Sequence, residues 1–159
     1  MELTQSHKLF LSCSGVSTDT RNIETDAMFF ALKGPSFNGN KYALDALDKG
    51  AKYAIVDEVS DLHNDKIVHV NDVLKTLQDL ASFHREYLGL PIVALTGSNG
   101  KTTTKELINN ILQQRYKTIA TDGNLNNHIG VPLTLLRMTF DTEIGIVEMG
   151  ANHAKEIKL

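Results

Sequence analysis

The sequence predicts an α/β protein in two parts: a small α/β unit over residues 1–87, then the start of a larger domain built on a parallel sheet over residues 88–159. Three observations predict it. Short apolar runs recur along the whole chain, each the length of a buried strand. Helical periodicity separates most of them, so the strands are joined by crossovers and run parallel. At Leu88-Gly89-Leu90-Pro91 a helical pattern stops and a strand-like run begins, and Gly and Pro punctuate that point.

The elements follow in order. The first 25 residues are weakly patterned, and Val16 to Arg21 reads as a polar loop. Ala27 to Leu32 is a buried strand stopped by Lys33-Gly34-Pro35. Asn40 is placed to cap a helix carrying Tyr42, Ala43, Ala46 and Leu47, closed by Gly50. Tyr53 to Val56 and Ile67 to Val70 are further strands. Asn71 or Asp72 then caps a long helix whose apolar positions Val73, Leu74, Leu77, Leu80, Ala81 and Leu88 form one face. In the second part Ile92 to Leu95 is a strand. Residues 102–114 form a helix with Leu107, Ile108, Ile111 and Leu112 on one face. Tyr116 to Ala120 is a strand, Pro132 opens a helix through Met138, and Ile144 to Val147 is a strand ending at Glu148. A parallel sheet needs cover on both faces. Three strands and a helix that breaks off at Leu159 therefore read as part of a larger domain, with an open edge prone to self-association.

Composition excludes several classes. With 16 Lys plus Arg against 19 Asp plus Glu, the net charge of −3 offers no basic face for duplex nucleic acid. The single cysteine, Cys13, rules out an internal disulfide and paired-cysteine zinc sites. No run approaches the ~18 apolar residues of a membrane span, and the N-terminus lacks a charged-then-apolar signal pattern. The expected compartment is the reducing cytoplasm.

The most specific motif is Thr96-Gly97-Ser98-Asn99-Gly100-Lys101-Thr102-Thr103, between the strand at 92–95 and the helix that follows. Glycines let the backbone curl so that successive N–H groups point inward at an anion. The helix start adds unsatisfied donors and a positive dipole end. Lys101 supplies charge for outer phosphates, and the Thr102 hydroxyl is placed to ligate magnesium. The longer form of this motif would have a glycine at position 95, where Leu95 stands; here the glycine is at 97.

Glu148-Met149-Gly150 ends a strand, where ligands bind in open parallel sheets. If that strand lies beside 92–95, Glu148 faces the phosphates and can hold magnesium; the alternative is a solvated strand-end carboxylate. Thr121 to Pro132 places three Asn and His128 in one loop, which suits a polar ligand but taken alone reads as ordinary turn chemistry. His153 follows the strand end and is a further metal-ligand candidate. His69 and His84 read as packing or surface residues.

Together these segments resemble the Mur ligases. Thr96 to Thr103 is similar to the phosphate loop that family shares with folylpolyglutamate synthases. Gly123-Asn124-Leu125-Asn126-Asn127-His128-Ile129-Gly130-Val131-Pro132-Leu133 and Glu148-Met149-Gly150-Ala151-Asn152 are similar to the members that add D-alanyl-D-alanine. Ser17-Thr18-Asp19-Thr20-Arg21, Met28 to Gly34 and Phe37-Asn38-Gly39 are similar to the domain that holds the UDP end of the substrate, with Asn38 where the family often has Asp. Lys155-Glu156-Ile157 departs by lacking a glycine.

The resemblance implies an N-terminal UDP-substrate-binding domain at 1–87 and the first part of a central ATP-binding domain at 88–159, within a longer three-domain enzyme. It implies an ATP- and Mg2+-dependent amide ligase of peptidoglycan precursor synthesis acting on UDP-MurNAc-tripeptide and D-alanyl-D-alanine through an acyl phosphate. Gly97, Ser98, Asn99, Gly100, Lys101, Thr102 and Thr103 would hold nucleotide; Thr102 and Glu148 would hold the metal; Lys101 and Glu148 would be catalytic. Asn126 and Asn127 would lie near the substrate's reacting end, and Thr18, Asp19, Arg21 and Gly34 in the UDP pocket, although Asp19 and Arg21 equally suit a structural ion pair. The parent enzyme is expected to be monomeric and this chain alone inactive. The alternatives are a nucleotide or UDP-sugar binding module without turnover, and a Mur ligase adding a different amino acid. The latter tend to have Ser where Gly150-Ala151 stands here.

Overall fold

The computed structural model describes residues 2–58 and 64–150. The chain forms two compact units, Met1–Leu80 and Ala81–Leu159. Both are α/β, each built on a parallel sheet.

In the first unit α1 (Leu3–Leu11) precedes β1 (Val16–Ser17) and β2 (Met28–Phe30). β3 (Lys33–Gly34) and β4 (Phe37–Asn38) form an antiparallel hairpin with its own two-stranded sheet. A 3₁₀ turn (Gly39–Tyr42) leads into α2 (Ala43–Asp48), followed by β5 (Tyr53–Val56) and β6 (Ile67–His69). The main sheet has the order β1-β2-β5-β6, parallel throughout. Side chains alternate across it. Phe29, Ala54 and Val56 join Ala43 and Ala46 of α2 in one buried cluster with Ala31, Ala51 and Ile67. Met28, Phe30 and Ile55, at alternate positions, are equally buried. Both faces are therefore covered, as a parallel sheet requires.

Three local details differ from the sequence reading. Val16 and Ser17, read as the start of a polar loop, form β1 because their backbone pairs with Met28 and Phe29 of β2. α1 and the β3–β4 hairpin carry too little periodicity to be legible in advance. The cap of the first 3₁₀ turn is Asn38, whose Oδ1 accepts from the Asn40 N–H at 3.0 Å. Asn40 instead turns to the end of β5: its Oδ1 accepts the Asp57 N–H at 3.0 Å, and its Nδ2 donates to Asp57 Oδ1 at 3.0 Å. Gly39 permits this turn, since a Cβ there would sit 2.6 Å from the carbonyl carbon of Ala31.

α3 (Val73–Leu88) starts where Asp72 Oδ1 accepts the Lys75 N–H at 2.8 Å, an N-cap. Val73, Leu77, Leu80 and Ala81 are its buried apolar stripe. The division between units falls within this helix. Its last turns serve the second unit: the His84 ring donates to the Met138 carbonyl at 2.9 Å, and Tyr87 meets Phe140 edge to face.

The second unit contains β7 (Ile92–Leu95), α4 (Lys101–Leu112), β8 (Thr118–Ala120), α5 (Gly130–Leu136) and β9 (Ile144–Glu148). Its sheet has the order β7-β9-β8, all parallel. The last strand thus lies in the middle and is buried from Gly145 to Glu148. The apolar positions of α4 do not form a buried face: Leu107 is 59% and Ile111 71% exposed, and the buried residue of this helix is Lys105. β7, at the sheet edge, is buried at none of its positions.

Candidate functional site

The chemistry gathers at the carboxyl ends of the second sheet. β7 and β9 pair so that Leu95 lies opposite Glu148, and the Met149 N–H donates to Leu95 O at 2.9 Å. The phosphate-type loop leaves β7 one residue after this pair. Gly100 stands at the N-cap of α4 with φ of 75°, a left-handed conformation that glycine adopts without strain. No side chain caps this helix start, so its first N–H groups and dipole face the loop. The Lys101 ammonium folds back to donate to Gly97 O at 2.6 Å. An anion held in the loop would compete for that same ammonium.

Thr102 and Glu148 meet directly. The Thr102 hydroxyl donates to Glu148 Oε1 at 3.2 Å, and Asn126 Nδ2 donates to the same oxygen at 2.8 Å. Glu148 is 1% exposed, which removes the solvated strand-end reading. Its Oε2 is buried and accepts no hydrogen bond. A buried acceptor without a donor is costly, and a cation beside it would satisfy it. Thr102 and Glu148 supply hard oxygen donors of the kind magnesium takes, so the residues present fit that ion. Among the described residues no cluster of three His, Cys, Asp or Glu forms a metal site. His153 lies outside the described residues.

Asn126 is fixed from two sides. The Gly150 N–H donates to its carbonyl at 2.7 Å, and a Cβ at Gly150 would press on its side-chain oxygen at 3.1 Å. Asn127 turns the other way and its Oδ1 accepts the N–H groups of Ile129 and Gly130 at 3.0 and 2.8 Å, capping the start of α5. Of the two asparagines, Asn126 therefore reaches the carboxylate and Asn127 shapes the loop. Ser98, Asn99 and Thr103 are exposed at the loop and first helical turn.

Sequence reasoning missed Lys105 and Thr121. Lys105 is 1% exposed; its ammonium donates to Thr121 O at 2.5 Å and pairs with Glu106 Oε1 at 2.8 Å. The Thr121 hydroxyl accepts the Glu148 N–H at 3.0 Å. The available signal was spacing: residue 105 lies one turn beyond Lys101 and shares its helix face.

Of the candidates in the first unit, Thr18, Asp19 and Arg21 share one turn and Gly34 lies in another element. Asp19 and Arg21 form a forked ion pair, with Arg21 Nε at 2.9 Å from Oδ1 and Nη2 at 2.5 Å from Oδ2. Asp19 Oδ1 also accepts the Arg21 N–H. The Arg21 side chain holds the Asp19 carboxyl down to about pKa 2. Thr18 is half-buried in the same turn, while Gly34 belongs to the separate β3–β4 sheet.

Comparison with known proteins identifies the family of the chain. A family model described as Mur ligase family, catalytic domain, matches residues 12–87, and one described as Mur ligase middle domain matches residues 95–159. The UDP-N-acetylmuramoyl-tripeptide–D-alanyl-D-alanine ligase of Bacillus subtilis (strain 168) is 42% identical over 147 residues, covering 91% of this chain and 32% of the relative. That of Escherichia coli (strain K12) is 40% identical, covering 92% and 32%. The crystal structure of MurF from Acinetobacter baumannii superposes with a TM-score of 0.82 at 34% identity, covering 94% of this chain and 36% of that one. MurF ligase from Thermotoga maritima in complex with ADP gives 0.79 at 31%, covering 91% and 33%. The chain thus spans about a third of the length of these relatives. Two family models that together take in most of the chain, and relatives alike in sequence and in fold, show that it belongs to the Mur ligase family.

Proposed function

We propose that this chain is the substrate-holding and phosphate-loop part of an ATP-dependent ligase that joins D-alanyl-D-alanine to UDP-MurNAc-tripeptide. The observation that carries this reading is the meeting of Thr102 and Glu148 beside the loop at the start of α4, with Asn126 on the same carboxylate. The relatives named for that reaction, and the solved relative in complex with ADP, support it.

In this reading residues 1–87 hold the UDP end of the substrate and residues 88–159 begin the ATP domain. Asp19, Thr18, Arg21 and Gly34 belong to the UDP side. The loop N–H groups from Gly97 to Thr103 and the Lys101 ammonium bind the phosphates. Thr102 and Glu148 would hold magnesium, which when bound would neutralise phosphate oxygen charge. A terminal carboxylate oxygen of the tripeptide attacks the γ-phosphorus and ADP leaves. The dipeptide amine then attacks the acyl carbon, loses a proton, and inorganic phosphate departs with its bonding pair. The protein's work is positioning and charge compensation. Lys101 acts first by leaving Gly97 O for the transferring phosphoryl group. Asn126 keeps the Glu148 carboxylate oriented while this happens. The enzyme works in the cytoplasm as a monomer.

The test is a coupled assay of ADP release by the complete gene product, with ATP, UDP-MurNAc-tripeptide and D-alanyl-D-alanine. Release that requires all three supports the reading. Equal release with the dipeptide omitted, or none with all three present, overturns it.

A further inference from the structure

Lys105 is the least expected residue of the second unit. Lysines are almost never fully buried unless paired, and burying an ammonium is costly unless its hydrogens are satisfied. Here the cation is 1% exposed while its ion-pair partner Glu106 is 54% exposed at the side chain. A surface carboxylate on the same helix does not require its neighbour to point inward. The contact that does is the one to the carbonyl of Thr121, at 2.5 Å. Thr121 follows Ala120, the last residue of β8, and opens the loop that runs to α5.

That carbonyl lies at the root of the site. The Thr121 N–H donates to Ile146 O at 2.9 Å, and its hydroxyl accepts the Glu148 N–H at 3.0 Å. Thr121 is itself 1% exposed. Five residues on, Asn126 reaches Glu148 Oε1. On the helix side Lys105 follows Thr102 by three residues, so both project from one face of α4. One helix face thus holds the carboxylate directly through Thr102, and holds the backbone beneath that carboxylate through Lys105 and Thr121.

We propose that Lys105 is a positioning residue for metal binding: by tying α4 to the carbonyl of Thr121 it sets the backbone that follows β8, so that the Thr121 hydroxyl and Asn126 hold Glu148 with Oε1 on the Thr102 hydroxyl and Oε2 left without a donor. Lys105 touches neither nucleotide nor substrate in this role. This inference rests on the assignment of Thr102 and Glu148 as the magnesium pair.

The experiment uses the complete ligase, with Mn2+ as the probe ion. Free Mn2+ is counted by electron paramagnetic resonance in the presence of saturating ADP, and ADP affinity is measured separately without metal. Lys105→Met keeps the volume and removes the ammonium. It weakens Mn2+ binding about tenfold and leaves metal-free ADP affinity within about twofold. Lys105→Arg, which restores a donor, recovers most of the loss. Thr121→Val removes the hydroxyl at constant shape and weakens Mn2+ in the same direction. The double variant is no weaker than Lys105→Met alone, because the two residues act in series.

Mn2+ affinity within twofold of the unmutated protein in a folded Lys105→Met variant overturns the proposal. Equal loss of Mn2+ and metal-free ADP binding overturns it too, since that marks general damage to the unit. If Lys105→Met does not fold, Thr121→Val decides alone: a folded variant with unchanged Mn2+ affinity rejects the relay. Glu148→Gln separates this inference from the reading beneath it. If that variant also leaves Mn2+ binding unchanged, the metal pair itself is misassigned and the role of Lys105 falls with it. If Glu148→Gln weakens Mn2+ and Lys105→Met does not, only the Lys105 proposal fails.

Discussion

Thr102 Oγ1 donates to Glu148 Oε1 at 3.2 Å, joining residues 46 positions apart in sequence. The first comes from the opening turn of α4, the second from the end of the central strand. Oε1 is shared with Asn126 while Oε2 has no donor. A neutral isostere at 148 keeps the shape and removes the charge. Glu148→Gln in the complete ligase is expected to lower kcat roughly 10²-fold, the size seen for other preorganised charge-stabilising groups, and to raise the Mg2+ concentration for half-maximal rate. Steady-state kinetics across a Mg2+ series check both.

Lys101→Ala removes the ammonium that now rests on Gly97 O. Charge developing on the transferring phosphoryl group then goes uncompensated. The expected loss is 10²-fold or more in kcat, about 3 kcal/mol of barrier. Activity within about threefold of the unmutated enzyme would contradict the phosphate-loop assignment.

Gly130→Ala tests the loop from its far end. A Cβ there would lie 2.4 Å from the backbone of Leu125, closer than any real contact, and backbone cannot swing aside as a side chain can. Overpacking of this kind costs about 1–3 kcal/mol. The denaturation midpoint of the second unit is expected to fall accordingly, while the first unit melts unchanged.

Asp57 makes the first unit sensitive to acid. Burial works to raise its pKa, but hydrogen bonds from Asn40 and Lys33 and from the Val73 N–H outweigh burial and leave the carboxyl below its ordinary value. A carboxyl depressed on folding contributes stability that is full above its unfolded pKa, near 4, and is lost as pH falls through the lower folded value. Asp57→Asn is therefore expected to destabilise the first unit at pH 7. Its difference from the unmutated chain should shrink steadily below about pH 4. Urea melts followed across that range measure the effect.

The apolar residues of α4 bear on association. Leu107 and Ile111 are exposed, and Val93 on the edge strand is 37% exposed. Exposed apolar surface and an open strand edge each favour self-association. Sedimentation of the 159-residue chain is expected to show concentration-dependent association, reduced in the double variant Leu107→Lys, Ile111→Lys. A monomer at all concentrations would reject this.

How much of this was written in the chain differs by element. The strands at 28–30, 53–56, 67–69, 92–95, 118–120 and 144–148 were legible because apolar runs bounded by Gly, Pro and Asn have few other uses. The loop from Thr96 to Thr103 was legible because its glycines, lysine and threonine follow a strand and open a helix, a context that few sequences satisfy by chance. α1 and the β3–β4 hairpin were not, since neither carries a clean period. The apolar residues of α4 misled, because periodicity reports which side of a helix could be buried and not whether anything covers it.

The sequence by itself determined the place of the glycine-rich loop between β7 and α4 and the position of Glu148 at a strand end. Only the tertiary structure decided which strands are neighbours. Placing β9 between β7 and β8 is a long-range choice that no local pattern encodes, and it is what buries Glu148 and brings it to Thr102. The same choice separates the two adjacent asparagines, sending Asn126 to the carboxylate and Asn127 to cap a helix. It also turns Lys105 inward: an ammonium on a helix is read as solvated until a neighbouring strand presents a carbonyl that needs it.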